Sequence, residues 1–392
     1  MLKRENLYLF SLCVLAFGLC FDPDWSSKAL ILVGVTALFN LKIKKELFKS
    51  KLFYVMLGLL AFTLLNLLLV AKGFDKSFLI LLGLLFFSYI LFWHTNFKSE
   101  WYKCLLISFS IGVYLVGVIN LTVASFVILN FNIKSLYNTW QHFSIIDIQK
   151  IYYAFYLNLA YLFVVDLMIK RNVRFKSSII IMICGISLLL LLFTGSLSGI
   201  VIFLILSILL TIHHVFPKYF RMVSNLFVVL PLLIFIALTN TGAQNVFGKI
   251  DGENSRIRNF KTNKELVIKS PILGYGLGKE FETMQMARQP KSWEFKNKYH
   301  AHNQYFEFLL GGGIFMLLLF FYLFSILYRQ AIKNYRKALL PIGFCVIITF
   351  VFLIESMFRR HHGIFFYSFF FILFTHYLEN DNISVTLDKE ME

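Results

Sequence analysis

The chain has 392 residues, 58% of them hydrophobic and only 15% charged. A water-soluble domain needs roughly 25% charged residues to cover its surface, so this composition excludes a soluble globular protein and implies solvation by lipid. The formal net charge is +17, and its placement along the chain decides how the protein lies in a membrane.

Taken in chain order, apolar runs of about 17–25 residues, the length that crosses a hydrocarbon core, fall near 7–21, 28–41, 52–71, 77–93, 104–131, 151–169, 178–193, 198–213, 222–240, 305–327, 338–355 and 363–378. They predict an all-α, polytopic integral membrane protein with about 12 transmembrane helices. Ala16-Phe17-Gly18 resembles a signal-peptidase site behind the Lys3-Arg4 start, but it lies inside the first run, so an uncleaved first span is expected. The cysteines (Cys13, Cys20, Cys104, Cys184 and Cys345) all fall within apolar runs, so no disulfide staples the long polar segment.

Orientation follows from the basic residues of the short loops. With a cytoplasmic N-terminus, the inner loops 42–51, 94–103, 170–177, 214–221 and 328–337 hold 17 Lys and Arg. The outer loops 22–28, 72–76, 132–150, 194–197 and 356–362 hold 7. Basic short loops stay inside, so both termini are expected in the cytoplasm. The chain then divides into spans one to nine (1–240), a large external loop (241–304), spans ten to twelve (305–378) and a cytoplasmic tail (379–392). The loop carries 11 basic and 6 acidic residues. That excess implies either an anionic partner on the outer face or attraction to anionic headgroups, and charge alone does not separate the two. The spans are nearly free of ionisable groups, with Asp166 near an inner end and Glu355 near an outer one. A coupled transporter usually keeps a carboxylate near the midplane, so this pattern argues against transport.

Within the loop, Asn254 or Ser255 can cap a helix running to about Lys269, with Lys261 and Glu265 four residues apart and Pro271 as the stop. Gly274, Gly276 and Gly278 follow. Alternate glycines allow tight turns or a cup of N–H groups for phosphate; the strand and helix of a dinucleotide fingerprint are missing, which favours a plain turn. The loop ends in Tyr299-His300-Ala301-His302-Asn303-Gln304. Asn303 suits an N-cap, and Glu307 suits the dipole of the helix it opens. A neutral imidazole at a membrane surface accepts a proton near pH 7. His-x-His is also a metal-ligand pair, but no third ligand stands at a recognisable spacing, and no metal is expected.

The full pattern is Ser255-Arg256, an aromatic at Phe260, Pro271, Gly274-x-Gly276-x-Gly278, His300-x-His302-Asn303-x-Tyr305 and the glycines 311–313. From Asn254 to Gly313, about a sixth of the chain, it resembles the O-antigen ligase and O-antigen polymerase superfamily of bacterial envelope glycan enzymes. The family's usual Trp is Phe260 here. Thr194-Gly195-Ser196 is similar to the family's Thr-Gly-Ser-Arg turn, with Leu197 in place of the arginine. Glu355-Ser356 and Arg359-Arg360-His361-His362-Gly363 are also similar to family positions at the last outer turn.

The resemblance implies a GT-C-like glycosyltransferase architecture and metal-independent, cofactor-free glycan transfer at the outer face of the bacterial inner membrane. The donor would be an undecaprenyl-pyrophosphate-linked glycan, and the acceptor lipid A–core or another glycan. His302 would be the general base, with His300 assisting. Arg256, then Arg258, would neutralise the pyrophosphate through a planar fork of donors. Arg359 and Arg360 would either replace the arginine missing at Leu197 or anchor the turn to headgroups. Asn303, Tyr305, Gly274, Gly276 and Glu355 would support the site. Membrane lipids are expected partners and nucleic acid is not. The single dominant loop favours a ligase over a polymerase; a lipid-linked glycan flippase is the reading from a different class.

Overall fold

The computed structural model describes residues 4–41, 50–71, 76–93, 97–131, 140, 145–146, 148–170, 176–241 and 255–379. Asn254, the rest of 242–254, most of the loops 42–51, 72–76, 132–150 and 170–177, and the tail beyond Glu379 lie outside the described residues. Among the described residues there is no strand.

Each predicted apolar run is a helix. They are α1 (Arg4–Gly18), α2 (Pro23–Leu38), α3 (Lys51–Asn66), α4 (Lys76–Trp93), α5 (Ser99–Phe131), α6 (Lys150–Lys170), α7 (Lys176–Thr194), α8 (Leu197–Val215) and α9 (Pro217–Thr241). In the long loop lie α10 (Ser255–Lys269), α11 (Glu280–Ala287) and α12 (Trp293–Lys296), followed by α13 (Gln304–Lys333), α14 (Leu339–Ile354) and α15 (His361–Glu379). Eight helices among the described residues are long and apolar enough to cross a membrane: α3 with its π-helical extension to Ala71, then α4 to α9, and α13. The other four predicted spans are shorter or less apolar. α1, α2 and α14 have 15, 16 and 16 residues, so each reaches only about 24 Å against a hydrocarbon core of about 30 Å.

Burial ranks these helices. α6, α14 and α15 are buried on nearly every side, which is why they are apolar or aromatic all round rather than along one stripe. α7 and α9 instead expose wide apolar faces, with Ile181 71% and Met222 65% exposed, as lipid-facing helices do. Close approach at the centre needs small residues. Gly199 lies where a Cβ would meet that of Ala154 at 2.7 Å, and Asn158 there donates to the Gly199 carbonyl at 2.9 Å.

The long loop is more structured than one capped helix, and it docks on the bundle through its glycines. At Gly313 (φ 65°) α13 kinks, and the freed Ile314 N–H donates to the Pro271 carbonyl at 2.9 Å. The hairpin 271–278 lies against this kink. Tyr275 and Gly276 N–H groups donate to the Leu310 and Gly311 carbonyls at 2.6 and 2.9 Å. Gly274 and Gly276 both have positive φ, and a Cβ on either would meet backbone atoms at 2.5 Å. Asn66, at the end of α3, accepts from Leu277 N–H at 2.8 Å and holds the hairpin from the other side. Because these N–H groups are engaged, the Gly-x-Gly-x-Gly stretch is a docking hairpin and not a phosphate cup.

Segments assigned to one side by the basic-residue count meet at one end of the bundle. His362 Nε2 lies 2.8 Å from the Phe21 carbonyl, and residues 148–151, 297–302 and 355–360 surround one cavity. At the opposite end, Lys98 pairs with Glu5 at 2.7 Å, His214 with Asp166 at 3.0 Å, and Gln330 donates to Glu379 at 3.0 Å.

Candidate active site

The cavity has a volume of about 470 Å³, and its walls include Lys150, Lys298, His300, His302, Glu355 and Arg360. His302 sits at the turn into α13 with φ 49°, a left-handed conformation a non-glycine residue adopts only under constraint. Asn303 supplies that constraint. Its Oδ1 accepts from Phe306 N–H at 3.0 Å as the predicted N-cap, and its Nδ2 donates to the Leu353 carbonyl at 3.0 Å. The start of α13 is thereby tied to the end of α14, where Glu355 is the next residue but one. His302 Nδ1 then lies 3.2 Å from Glu355 Oε2, and the imidazole packs on Tyr299 with ring centroids 4.1 Å apart. A neutral imidazole donating from Nδ1 to a carboxylate carries its lone pair on Nε2. This is the geometry of a base held by a carboxylate.

His300 lies on the same wall, packed on Phe281 at 4.9 Å. Burial pushes its pKa below the ordinary imidazole value, opposed by the Glu307 carboxylate and reinforced by Arg359, Arg360 and His302. Burial therefore favours its neutral form. Its carbonyl and that of Ala301 accept from Asn259 Nδ2 at 2.8 and 2.9 Å, and Arg288 reaches Asn259 Oδ1 and the Tyr299 carbonyl. Asn259 of α10 and Arg288 at the end of α11 thus fix the path of 299–301 by side-chain hydrogen bonds.

The arginines are distributed unequally. Arg359 donates to both Glu280 and Glu307, the latter at 3.1 Å from Nε and from Nη2, and Ser356 Oγ donates to the other Glu307 oxygen at 2.9 Å. Arg359, which lies on the cavity lining, is held by these carboxylates and joins α11, α13 and the turn after α14. Arg360 is exposed at the cavity wall. Arg258 pairs with Glu294 at 2.8 Å, and Arg256 is exposed on α10; neither lines the cavity. Tyr305 is buried and donates to the Thr349 carbonyl at 3.2 Å, a packing role. Leu197 is 75% exposed, while its turn reaches the cavity wall through Phe193, which packs on Trp140 at 5.4 Å.

Two cavity cations, Lys150 and Lys298, escaped the sequence reading. Lys298 stands two residues before His300, a proximity that gave a usable signal. Lys150 is separated from it by more than a hundred residues, so only folding brings the two together. Arg359 is held by two carboxylates, and the cavity lining also carries Lys150, Lys298 and Arg360 besides Glu355. It suits an anion. Among the described residues no three His, Cys, Asp or Glu converge as a metal-holding group.

Fold and cavity together define an all-helical, multi-pass membrane protein with a basic, histidine-bearing site at one end of its bundle. Residues 182–321 match the family model described as O-antigen ligase, and over that segment the chain is similar to the O-antigen ligase and polymerase superfamily. The match supports glycan processing of the ligase or polymerase type, with lipid-linked glycan donors and acceptors as the general substrates. No curated protein matches the chain. The match takes in His300, His302 and the docking hairpin; Glu355, Arg359, Arg360 and Lys150 lie outside it.

Arg359 provides a test of the site's frame. Glu280 and Glu307 are each only 4% exposed as side chains, so Arg359→Gln leaves two buried carboxylates without their cation. A loss of about 3–5 kcal/mol is expected, read as a lowered thermal midpoint in detergent. Adding Glu280→Gln and Glu307→Gln should recover much of it; no recovery would show that the ion pairs are not the cause.

Proposed function

We propose that the cavity transfers a glycan from an undecaprenyl-pyrophosphate carrier to an acceptor sugar hydroxyl, on lipid A–core, at the outer face of the bacterial inner membrane. The observation that carries the reading is the His302–Glu355 pair beside Arg360, Lys150 and Lys298 in one cavity. His302 Nε2 takes the proton of the acceptor hydroxyl while Nδ1–H stays on Glu355. The acceptor oxygen forms a bond to the anomeric carbon on the face opposite the leaving group. The bond from that carbon to the pyrophosphate oxygen breaks, and its electron pair leaves with the pyrophosphate. Arg360, with Lys150 and Lys298, stabilises the charge that develops there. Configuration inverts. Neutral His300 orients the acceptor without adding a second positive charge beside His302. The reading asks no metal ion to carry the leaving group, and it gives Arg256 and Arg258 a role in the loop's frame and on its surface rather than on the pyrophosphate.

The direct test is purified protein with a lipid-linked glycan and an acceptor, products resolved by mass. His302→Ala should insert normally and lose transfer by about two to four orders of magnitude, the usual worth of a general base. Glu355→Gln should give a smaller loss, and chelator none. Full activity of the His302 variant would remove it from the chemistry.

Orientation is tested separately. In a background without native cysteines, Met286→Cys, 76% exposed on the loop, should react with an impermeant thiol reagent from outside the cell membrane. Ser177→Cys should be protected. The reverse pattern would put the cavity in the cytoplasm and end the reading.

Ligase and polymerase differ in the molecule that presents the hydroxyl. Deleting a ligase should leave lipid A–core bare while polymer accumulates on its carrier, and that outcome is expected here on a gel of the lipopolysaccharide. A core bearing single repeats would instead assign polymerisation.

A further inference from the structure

The hairpin that docks on the α13 kink also presents apolar side chains outward. Pro271, Ile272 and Leu273 form its tip and all three are exposed, Ile272 by 58% and Leu273 by 47%. Ile268, on the last turn of α10, is exposed as well.

The level of this tip in the bundle decides what it faces. The span Lys51–Ala71 has 21 residues and so reaches about 30 Å, the thickness of one hydrocarbon core. Gly276 lies against Ala71, at the end of that span, where a Cβ would meet the Ala71 Cα at 2.5 Å. Asn66, five residues before that end, donates from Nδ2 to the Leu273 carbonyl at 3.4 Å. At 1.5 Å per residue, the tip therefore lies about 7 Å inside the edge of the core. On its other side a Cβ on Gly313, the tenth residue of α13, would collide with the Ile272 carbonyl. Exposed apolar residues border the tip on both helices: Leu65, Leu68 and Leu69 of the α3 span, and Ile314, Phe315 and Leu318 of α13.

The backbone carries a second, independent sign. Non-helical backbone at membrane depth is tolerated only where protein meets its polar groups. The Pro271 carbonyl accepts from Ile314 N–H at 2.9 Å, the Leu273 carbonyl from Asn66, and the Gly274 carbonyl from Ser270 Oγ at 2.7 Å. Pro271 itself has no N–H to satisfy. A turn in water can leave such carbonyls to the solvent.

We infer that Pro271, Ile272 and Leu273 insert into the leaflet on the histidine-cavity side, with lipid acyl chains as their partner. The tip continues the lipid-facing surface of α3 and α13 across the loop. Lys269, exposed two residues before Pro271, has a stem long enough to lie along the apolar surface with its charge among the headgroups. The hairpin runs on into α11, whose Glu280 pairs with Arg359, so insertion ties the ion cluster to a fixed height above the leaflet. The contact holds for either direction of insertion and for any reaction in the cavity.

The test uses full-length protein without native cysteines, one molecule per nanodisc of phosphatidylglycerol and phosphatidylcholine. A nitroxide is attached at Ile272→Cys. Electron paramagnetic resonance then measures its collisions with oxygen, which concentrates among acyl chains, and with a water-soluble nickel chelate. Leu68→Cys, 72% exposed on the α3 span, sets the values for lipid, and Met286→Cys sets those for water. Ile272→Cys should match Leu68→Cys, with frequent oxygen collisions and most of the nickel collisions seen at Met286→Cys lost. Leu273→Cys should behave alike, and it carries the test if the first variant fails to fold. Nickel collisions as frequent as at Met286→Cys would put the tip in water and overturn the insertion. Rare collisions with both reagents would mean that protein covers the tip, and would overturn it equally.

Discussion

Arg359 is the point through which the site is assembled. A guanidinium held between two carboxylates that are each almost fully buried exchanges solvation for pairing, and such an arrangement persists only when all partners stay together. The cluster draws on three places: Glu280 on the loop helix α11, Glu307 in the first turn of α13, and Arg359 itself on the turn after α14. Glu355, four residues earlier on that turn, is thereby kept beside His302. Ser356 adds its hydroxyl to Glu307 and locks the same turn. The His302–Glu355 pair inherits its geometry from this charge cluster, whose Arg359 also lies on the cavity lining.

The loop's backbone has a parallel constraint. The N–H groups of Tyr275, Gly276, Leu277 and Gly278 donate to Leu310, Gly311, Asn66 and Glu280 respectively. Since backbone donors there are committed to docking, the proposed anion would be met by side chains: Arg360 on the last turn, Lys298 beside the histidines and Lys150 at the start of α6. Side chains on three separate elements meet a charge from several directions. A single glycine-rich loop does so from one.

The two ends of the bundle differ in kind. One end gathers histidines, a carboxylate and cations around a cavity of about 470 Å³; the other holds a small lysine-lined cavity whose carboxylate is already paired. Between them the helices α6, α14 and α15 are packed with buried aromatic and aliphatic side chains. Buried Phe344, Phe366 and Phe370 stand where a transport path would need polar groups. An apolar, close-packed middle with chemistry confined to the ends suits an enzyme working at a membrane surface.

Composition and run length were enough to read an all-helical membrane protein, because hydrophobic periodicity is local and each helix satisfies its own backbone. The cap at Asn303, the helix 255–269 and the turn glycines were legible for the same reason: each depends on neighbours within a few residues. His300 and His302 stood out in sequence by their position at a helix start. What they touch did not. The Glu355 partner lies 53 residues away, the Glu280–Arg359 pair spans 79, and Lys150 and Lys298, 148 apart, line one cavity. These pairings arise from how helices pack and not from the propensity of any segment. For that reason composition and local pattern determined the class of protein and its candidate base. Tertiary structure alone decided that Arg359 is bound in an ion cluster, that Arg258 is paired with Glu294, and that Arg360 and two lysines line the cavity where charge must be met.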